Sequence, residues 1–251
     1  MYELEIPAWS LVKNASYYKS RDSRQLVVTA GDSWTWGDSL GNTKVREGRD
    51  DEEYRLVHVY GNLVSEELGA DWINIALPGI SNHRILDWLR LVTDRKLPYS
   101  DIICIVTLTE TGRHEEQRWT KPEYNLQTNL ERMLDRTYQE LEGIVQKRTD
   151  IRFVIAHNFT DSRPNQLPMC DQTWLEVMRN ETVQNGTHIV VSEHIEQLNW
   201  EQRYLDTLEV MDRATARIDL LDTCKYCNKE DSRHPTEYGH ELWANYLLSQ
   251  I

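Results

Sequence analysis

Residues 26–37 read Leu-Val-Val-Thr-Ala-Gly-Asp-Ser-Trp-Thr-Trp-Gly, and this order decides the fold. Leu26 to Ala30 is a short, nearly continuous apolar run. Such a run suits a strand buried on both faces of a parallel sheet rather than one that alternates between core and solvent. Gly31 permits a tight turn, and Asp32 and Ser33 are good turn or N-cap residues. A serine directly after such a strand stands at the C-terminal edge of the sheet, where open α/β folds place their ligands.

Further runs of the same kind lie downstream at Trp72 to Leu77, Ile102 to Leu108, Ile151 to Ala156 and Ile189 to Val191. Helical spacing separates them. Val57, Tyr60, Val64 and Leu68 mark one helix, with Gly69 as its stop signal. Ile85, Leu89 and Val92 mark a second, with Ser81 or Asn82 as N-cap. Leu126, Leu130, Met133, Leu134, Leu141 and Val145 mark a longer third. Thr236 caps a last helix that buries Leu242 and Leu247. Strands alternating with helices predict βαβ units, and the expected architecture is a three-layer α/β/α sandwich around a mostly parallel sheet of about five strands. The 251 residues fit a single domain, which at this size buries roughly 70–75% of the surface of the unfolded chain. Residues 158–187 have weak periodicity and read either as an insertion or lid near the site or as ordinary loop and helix.

The chain is 39% hydrophobic and 27% charged, as soluble globular proteins are. Its 28 basic against 41 acidic residues give a net charge of −13, which repels a polyanion, so nucleic acid is not an expected partner. No apolar run approaches the roughly 20 residues that span a bilayer, and residues 1–20 lack the pattern of a signal peptide. The expected location is the cytoplasm, with no membrane partner; the oligomeric state is not legible. Four cysteines are too few for a disulfide scaffold at this length. Cys104, inside an apolar run, reads as a buried thiol. Cys224 and Cys227 with His234 and His240 have the residue types of a zinc set. Only six residues separate Cys227 from His234, however, against about twelve in a C2H2 finger. A structural loop with two free thiols is the expected reading, with no metal and no cofactor.

Near the far end, Asp231-Ser232-Arg233-His234-Pro235 precedes the last helix. A serine hydroxyl is a poor nucleophile until a base takes its proton, and the base must be held in the correct tautomer by a third group. Asp231 and His234 are three residues apart, so one turn can bring carboxylate and imidazole together. Each motif by itself also reads as an ordinary turn or a capped helix start. Together, GDSWTWG and DSRHPTEYGHELWA resemble the SGNH/GDSL hydrolase family, which carries Gly-Asp-Ser near its start and Asp-x-x-His near its end on a flavodoxin-like sandwich. The span from Ser33 to His234 covers 202 of the 251 residues.

The resemblance implies ester hydrolysis, with Ser33 as nucleophile, His234 as base and Asp231 orienting it. It makes Gly79, in Pro78-Gly79-Ile80-Ser81-Asn82, a backbone donor to the oxyanion together with Ser33. The family's third block, Gly-x-Asn-Asp, supplies an asparagine donor; here the matching place reads Thr107-Leu108-Thr109-Glu110-Thr111-Gly112-Arg113, with no asparagine. Thr109 is the expected replacement, with Asn82 or Arg113 as others. Arg113 alternatively binds a substrate carboxylate or pairs with Glu110. Asp32, Trp34, Glu110 and Arg113 are the expected substrate contacts, and the expected partner is a small-molecule or carbohydrate ester, such as an acetyl ester; Trp34 and Trp36 beside Ser33 either stack on a sugar or pack the core and shield the site. The competing expectation is a binding or structural protein on a hydrolase scaffold, of viral or carbohydrate-binding type, with little turnover.

Overall fold

The computed structural model describes residues 17–38, 40, 52–109, 126–158, 167–184 and 235–251. Its elements are β1 (Tyr17–Lys19), β2 (Gln25–Ala30), α1 (Ser33–Trp36), α2 (Glu52–His58), α3 (Tyr60–Glu67), β3 (Asp71–Asn74), α4 (Asn82–Thr93), β4 (Asp101–Leu108), α5 (Leu126–Lys147), β5 (Ile151–His157), α6 (Trp174–Gln184) and α7 (Glu237–Gln250). The sheet order is β1-β3-β2-β4-β5. The last four strands are parallel, and β1 joins β3 antiparallel.

The apolar runs are continuous because both faces of the sheet are covered. Val27, Ile103, Ile105 and Val154 pack on one face against Tyr60 and Val64 of α3, Trp174 of α6 and Trp243 and Leu247 of α7. Leu26, Val28, Cys104, Val106 and Ile155 pack on the other against Ile85, Leu89 and Val92 of α4 and Leu134 and Leu141 of α5. Alternate residues of one strand thus enter opposite cores, which gives the three-layer α/β/α sandwich. The parallel strands β3-β2-β4-β5 follow the flavodoxin-like order, in which connections leave β2 and β4 toward opposite sides. The crevice between the C-terminal ends of β2 and β4 is therefore the switch point of the sheet.

Three details depart from the sequence reading. Strand β1 has no apolar run to announce it; it is three residues long and rests on pairing with β3. The strand expected over Trp72 to Leu77 ends at Asn74, although Ile75 and Leu77 still donate backbone hydrogen bonds to Thr29 and Gly31, at 2.8 and 3.3 Å. The helix expected through Val57 to Leu68 is two helices, broken at Val59, whose backbone is extended (φ −69°, ψ 137°). Ser81 caps α4 and Thr236 caps α7, each accepting a backbone N–H in the first turn. The run Ile189–Val191 lies outside the described residues. Within 167–184, Cys170 donates its N–H to Ile155 of β5, and the Trp174 side chain is fully buried. Among the described residues, no helix is long and apolar enough to cross a membrane.

Candidate active site

Four loop starts meet at the switch-point end of the sheet: Gly31–Ser33 after β2, Ile75–Gly79 after β3, Thr109 after β4 and Asn158 after β5. The β2 exit must be tight. A Cβ on Gly31 would lie 2.0 Å from Thr35 Oγ1 and 3.0 Å from the Thr107 carbonyl oxygen, so only glycine fits. Ser33 opens α1, and Asp32 caps it by accepting the Trp34 N–H at 3.0 Å.

Asp32 is fully buried, a costly place for a carboxylate unless hydrogen bonds satisfy it. Besides the Trp34 N–H, it accepts the Thr109 hydroxyl at 2.5 Å and the Asn158 side-chain N–H at 2.9 Å. Thr109 is itself clamped by Asn82: the Thr109 N–H donates to Asn82 Oδ1 at 2.8 Å, and Asn82 Nδ2 donates to the Thr109 carbonyl at 3.0 Å. Beneath this layer the Tyr60 hydroxyl lies 3.1 Å from Thr107 Oγ1 and donates toward Thr35 Oγ1 at 3.4 Å. Burial pushes the Tyr60 phenol well above its ordinary value, so it stays protonated.

Ser33 is 5% exposed, and its hydroxyl makes no hydrogen bond to any described residue. Among the described residues, nothing accepts the backbone N–H of Ser33 or of Gly79 either. Gly79 takes φ +80°, a left-handed conformation that favours glycine, while no atom within 4 Å opposes a side chain there.

This geometry corrects four expected roles. A hydroxyl has one proton, and that of Thr109 is given to Asp32, so Thr109 does not also donate to an oxyanion. Asn82 spends both ends of its amide on the Thr109 backbone, which removes it as an oxyanion donor; it is the first residue of α4, and the cap is Ser81. Asp32, fully buried, turns its carboxylate to Trp34, Thr109 and Asn158 rather than to a substrate. Trp34, 2% exposed, faces the core, edge-on to Trp174 at 5.3 Å, instead of offering a face to a sugar. The Trp36 ring lies 3.7 Å beneath the Arg55 guanidinium. Asp231, His234, Glu110 and Arg113 lie outside the described residues, as do Cys224 and Cys227. Cys104 is a buried thiol, pushed up to about 12 by burial. Among the described residues, no group of three or more His, Cys, Asp or Glu side chains is arranged to hold a metal ion.

Asn158 was not selected from the sequence. The signal that singles out Thr109, the first residue beyond a buried strand, applies equally to the residue that follows His157.

An open, mostly parallel sheet covered on both faces, with a serine presented at its switch point, defines an α/β sandwich of flavodoxin-like order. No family model matches the chain, and no curated protein matches it significantly in sequence. Among solved structures it is similar to a lipolytic protein of the G-D-S-L family from Desulfitobacterium hafniense DCB-2, with 15% identity, a TM-score of 0.41, and coverage of 90% of this chain and 99% of that one. It is also similar to a variant acetyl xylan esterase from Geobacillus stearothermophilus, with 16% identity, a TM-score of 0.43, and coverage of 90% and 93%. A third is a carbohydrate esterase family 2 enzyme from Corynascus thermopiles (Myceliophthora fergusii), with 13% identity, a TM-score of 0.45, and coverage of 90% of this chain and 65% of that one.

Proposed function

We propose that the chain is a serine ester hydrolase of the SGNH/GDSL type. The observation that carries the reading is the contrast between Asp32 and Ser33. The carboxylate is fully engaged by protein donors, whereas the next residue keeps a hydroxyl bonded to no described residue at the switch point of the sheet. Ser33 attacks the ester carbonyl. His234 takes its proton and then gives it to the leaving alcohol, and Asp231 holds the imidazole in the required tautomer. The N–H groups of Ser33 and Gly79 stabilise the oxyanion, and water then releases the acid from the acyl-enzyme.

The start of α7 supports His234 as the base. The Gly239 carbonyl accepts the Trp174 indole N–H at 3.1 Å, and the His240 ring lies 4.9 Å from that of Trp174. Trp174 in turn meets Trp34, the neighbour of Ser33. His234 is three residues in sequence from a helix whose first turn packs through the Trp174 indole on Trp34, the residue after Ser33.

A fluorophosphonate probe followed by peptide mapping tests the reading. Labelling at Ser33 that disappears in Ser33→Ala is expected, with hydrolysis of acetyl or butyryl aryl esters; acetylated sugars then decide whether the alcohol is a carbohydrate. The second reading, a binding or structural protein with little turnover, is favoured by one observation: Thr109 and Asn82 are consumed in structural hydrogen bonds, which leaves only backbone donors for an oxyanion among the described residues. An unlabelled serine and no hydrolysis would favour that reading.

A further inference from the structure

We propose that Asn158 and Thr109 are positioning residues for Ser33. As a pair they hold the Asp32 carboxylate, and through it the turn that presents the serine hydroxyl. The proposal rests on the serine-hydrolase reading above.

Both donors are mounted so that they cannot swing away. The Asn158 N–H donates to the Leu108 carbonyl at 2.9 Å, and its own carbonyl accepts the Leu175 N–H at 3.1 Å, tying it to β4 and α6. Thr109 is held through both backbone groups by Asn82. One donor thus comes from the end of β4 and the other from the end of β5, and they reach the carboxylate from 77 and 126 residues away in sequence. Asp32 Oδ1 receives the Asn158 amide and the Trp34 N–H together. The rotation of that carboxyl therefore sets the first turn of α1, in which Ser33 is the first residue.

The Asn158 side chain is used at one end only. Its Nδ2 donates to Asp32, whereas its Oδ1 is buried with no partner among the described residues. The site asks position 158 for a donor and makes no use of its acceptor. An ionised carboxylate only accepts, so the amide nitrogen is the end that must face it. Aspartate at 158 would keep the shape and, once ionised, lose the donor, which separates positioning from mere space filling. A nucleophile displaced by about 1 Å can lose on the order of 100-fold in rate.

The experiment measures kcat and KM on an aryl acetate, together with the fluorophosphonate labelling rate. It compares the full-length chain with Asn158→Ala, Asn158→Asp, Thr109→Val and Thr109→Ser, each checked for a cooperative melt. Asn158→Ala and Thr109→Val should lower kcat about 10- to 100-fold with KM nearly unchanged. Thr109→Ser keeps the hydroxyl and should recover most of the rate that Thr109→Val loses. In Asn158→Asp two carboxyl groups would lie about 3 Å apart and share a proton that restores a donor until rising pH removes it. Its rate should therefore fall as pH rises through neutrality, where that of the unaltered chain rises. Full kcat in Asn158→Ala and Thr109→Val, or a loss confined to KM, overturns the positioning role while the hydrolase reading stands. An unaltered chain that neither labels nor hydrolyses overturns both. Where Asn158→Ala does not fold, the Thr109 pair and the pH profile of Asn158→Asp decide.

Discussion

The backbone N–H of Tyr60 donates to Nδ1 of His240 at 3.2 Å, across 180 residues of sequence. The first N–H groups of a helix have no partner within it. Here α3 follows an extended Val59 that offers no side-chain cap, and a ring from α7 meets the orphan group instead. Because Nδ1 accepts, the imidazole is neutral with its proton on Nε2. His240→Phe keeps a ring but leaves the N–H buried and unmet. We predict a loss of about 1–3 kcal/mol in unfolding free energy, measured by chemical denaturation; unchanged stability would mean that α3 starts without need of this acceptor.

Asp71, at the opposite end of the sheet, predicts a pH dependence. Burial raises its carboxyl, but the backbone N–H groups of Arg21 and Ser23 and the hydroxyls of Tyr99 and Tyr18 outweigh this and hold it below the ordinary carboxylate range. A folded-state value below the unfolded one gives stability that is present above about pH 4 and lost as pH falls through the folded value. Asp71→Asn should therefore be clearly less stable than the unaltered chain at pH 7. The gap should close in acid, and a gap independent of pH would contradict the assignment.

Gly31→Ala tests the tightness of the β2–α1 turn. The new methyl meets Thr35 Oγ1 and the Thr107 carbonyl oxygen, and overpacking of this kind costs roughly 1–3 kcal/mol or more. Adding Thr35→Ala removes the hydroxyl but not the Thr35 Cβ, 2.6 Å away, or the Thr107 oxygen. The double variant should recover part of the loss in melting temperature and not all of it.

If His234 is the general base, kcat/KM should fall as pH drops through the imidazole range, nominally near 6.5. A rate flat from about pH 5 to 8 would remove His234 from that role.

The sandwich was legible because its strands are largely buried on both faces: β2, β4 and β5 each write their position as a nearly continuous apolar run. Strand β1 was not legible, since three residues on an edge need no apolar pattern. The turn at Gly31–Ser33 could be read from local sequence because Gly-Asp-Ser is itself a turn and cap pattern. The parts of Asp32, Thr109, Asn82 and Asn158 could not. Each depends on a partner that only the sheet brings near, and a threonine or asparagine reads the same whether its proton goes to a substrate or to a buried carboxylate. Trp34 left two readings open for a related reason: proximity to Ser33 in sequence says nothing about which way a ring turns.

Strand β1 also bears on how molecules of this protein keep apart. An open sheet edge is a template for another chain's backbone. Among the described residues, the template on this side is spent on Tyr17–Lys19, a rim too short to recruit a long partner. Its last residue, Lys19, carries a charge held by Glu66 at 3.1 Å. Beyond it Asp22, at φ +55°, bends the chain away from the line of the strand. Unzipping these three residues would leave the parallel strands paired with one another and uncover Trp72–Asn74. The first symptom would be association between molecules, visible as light scattering before secondary structure is lost.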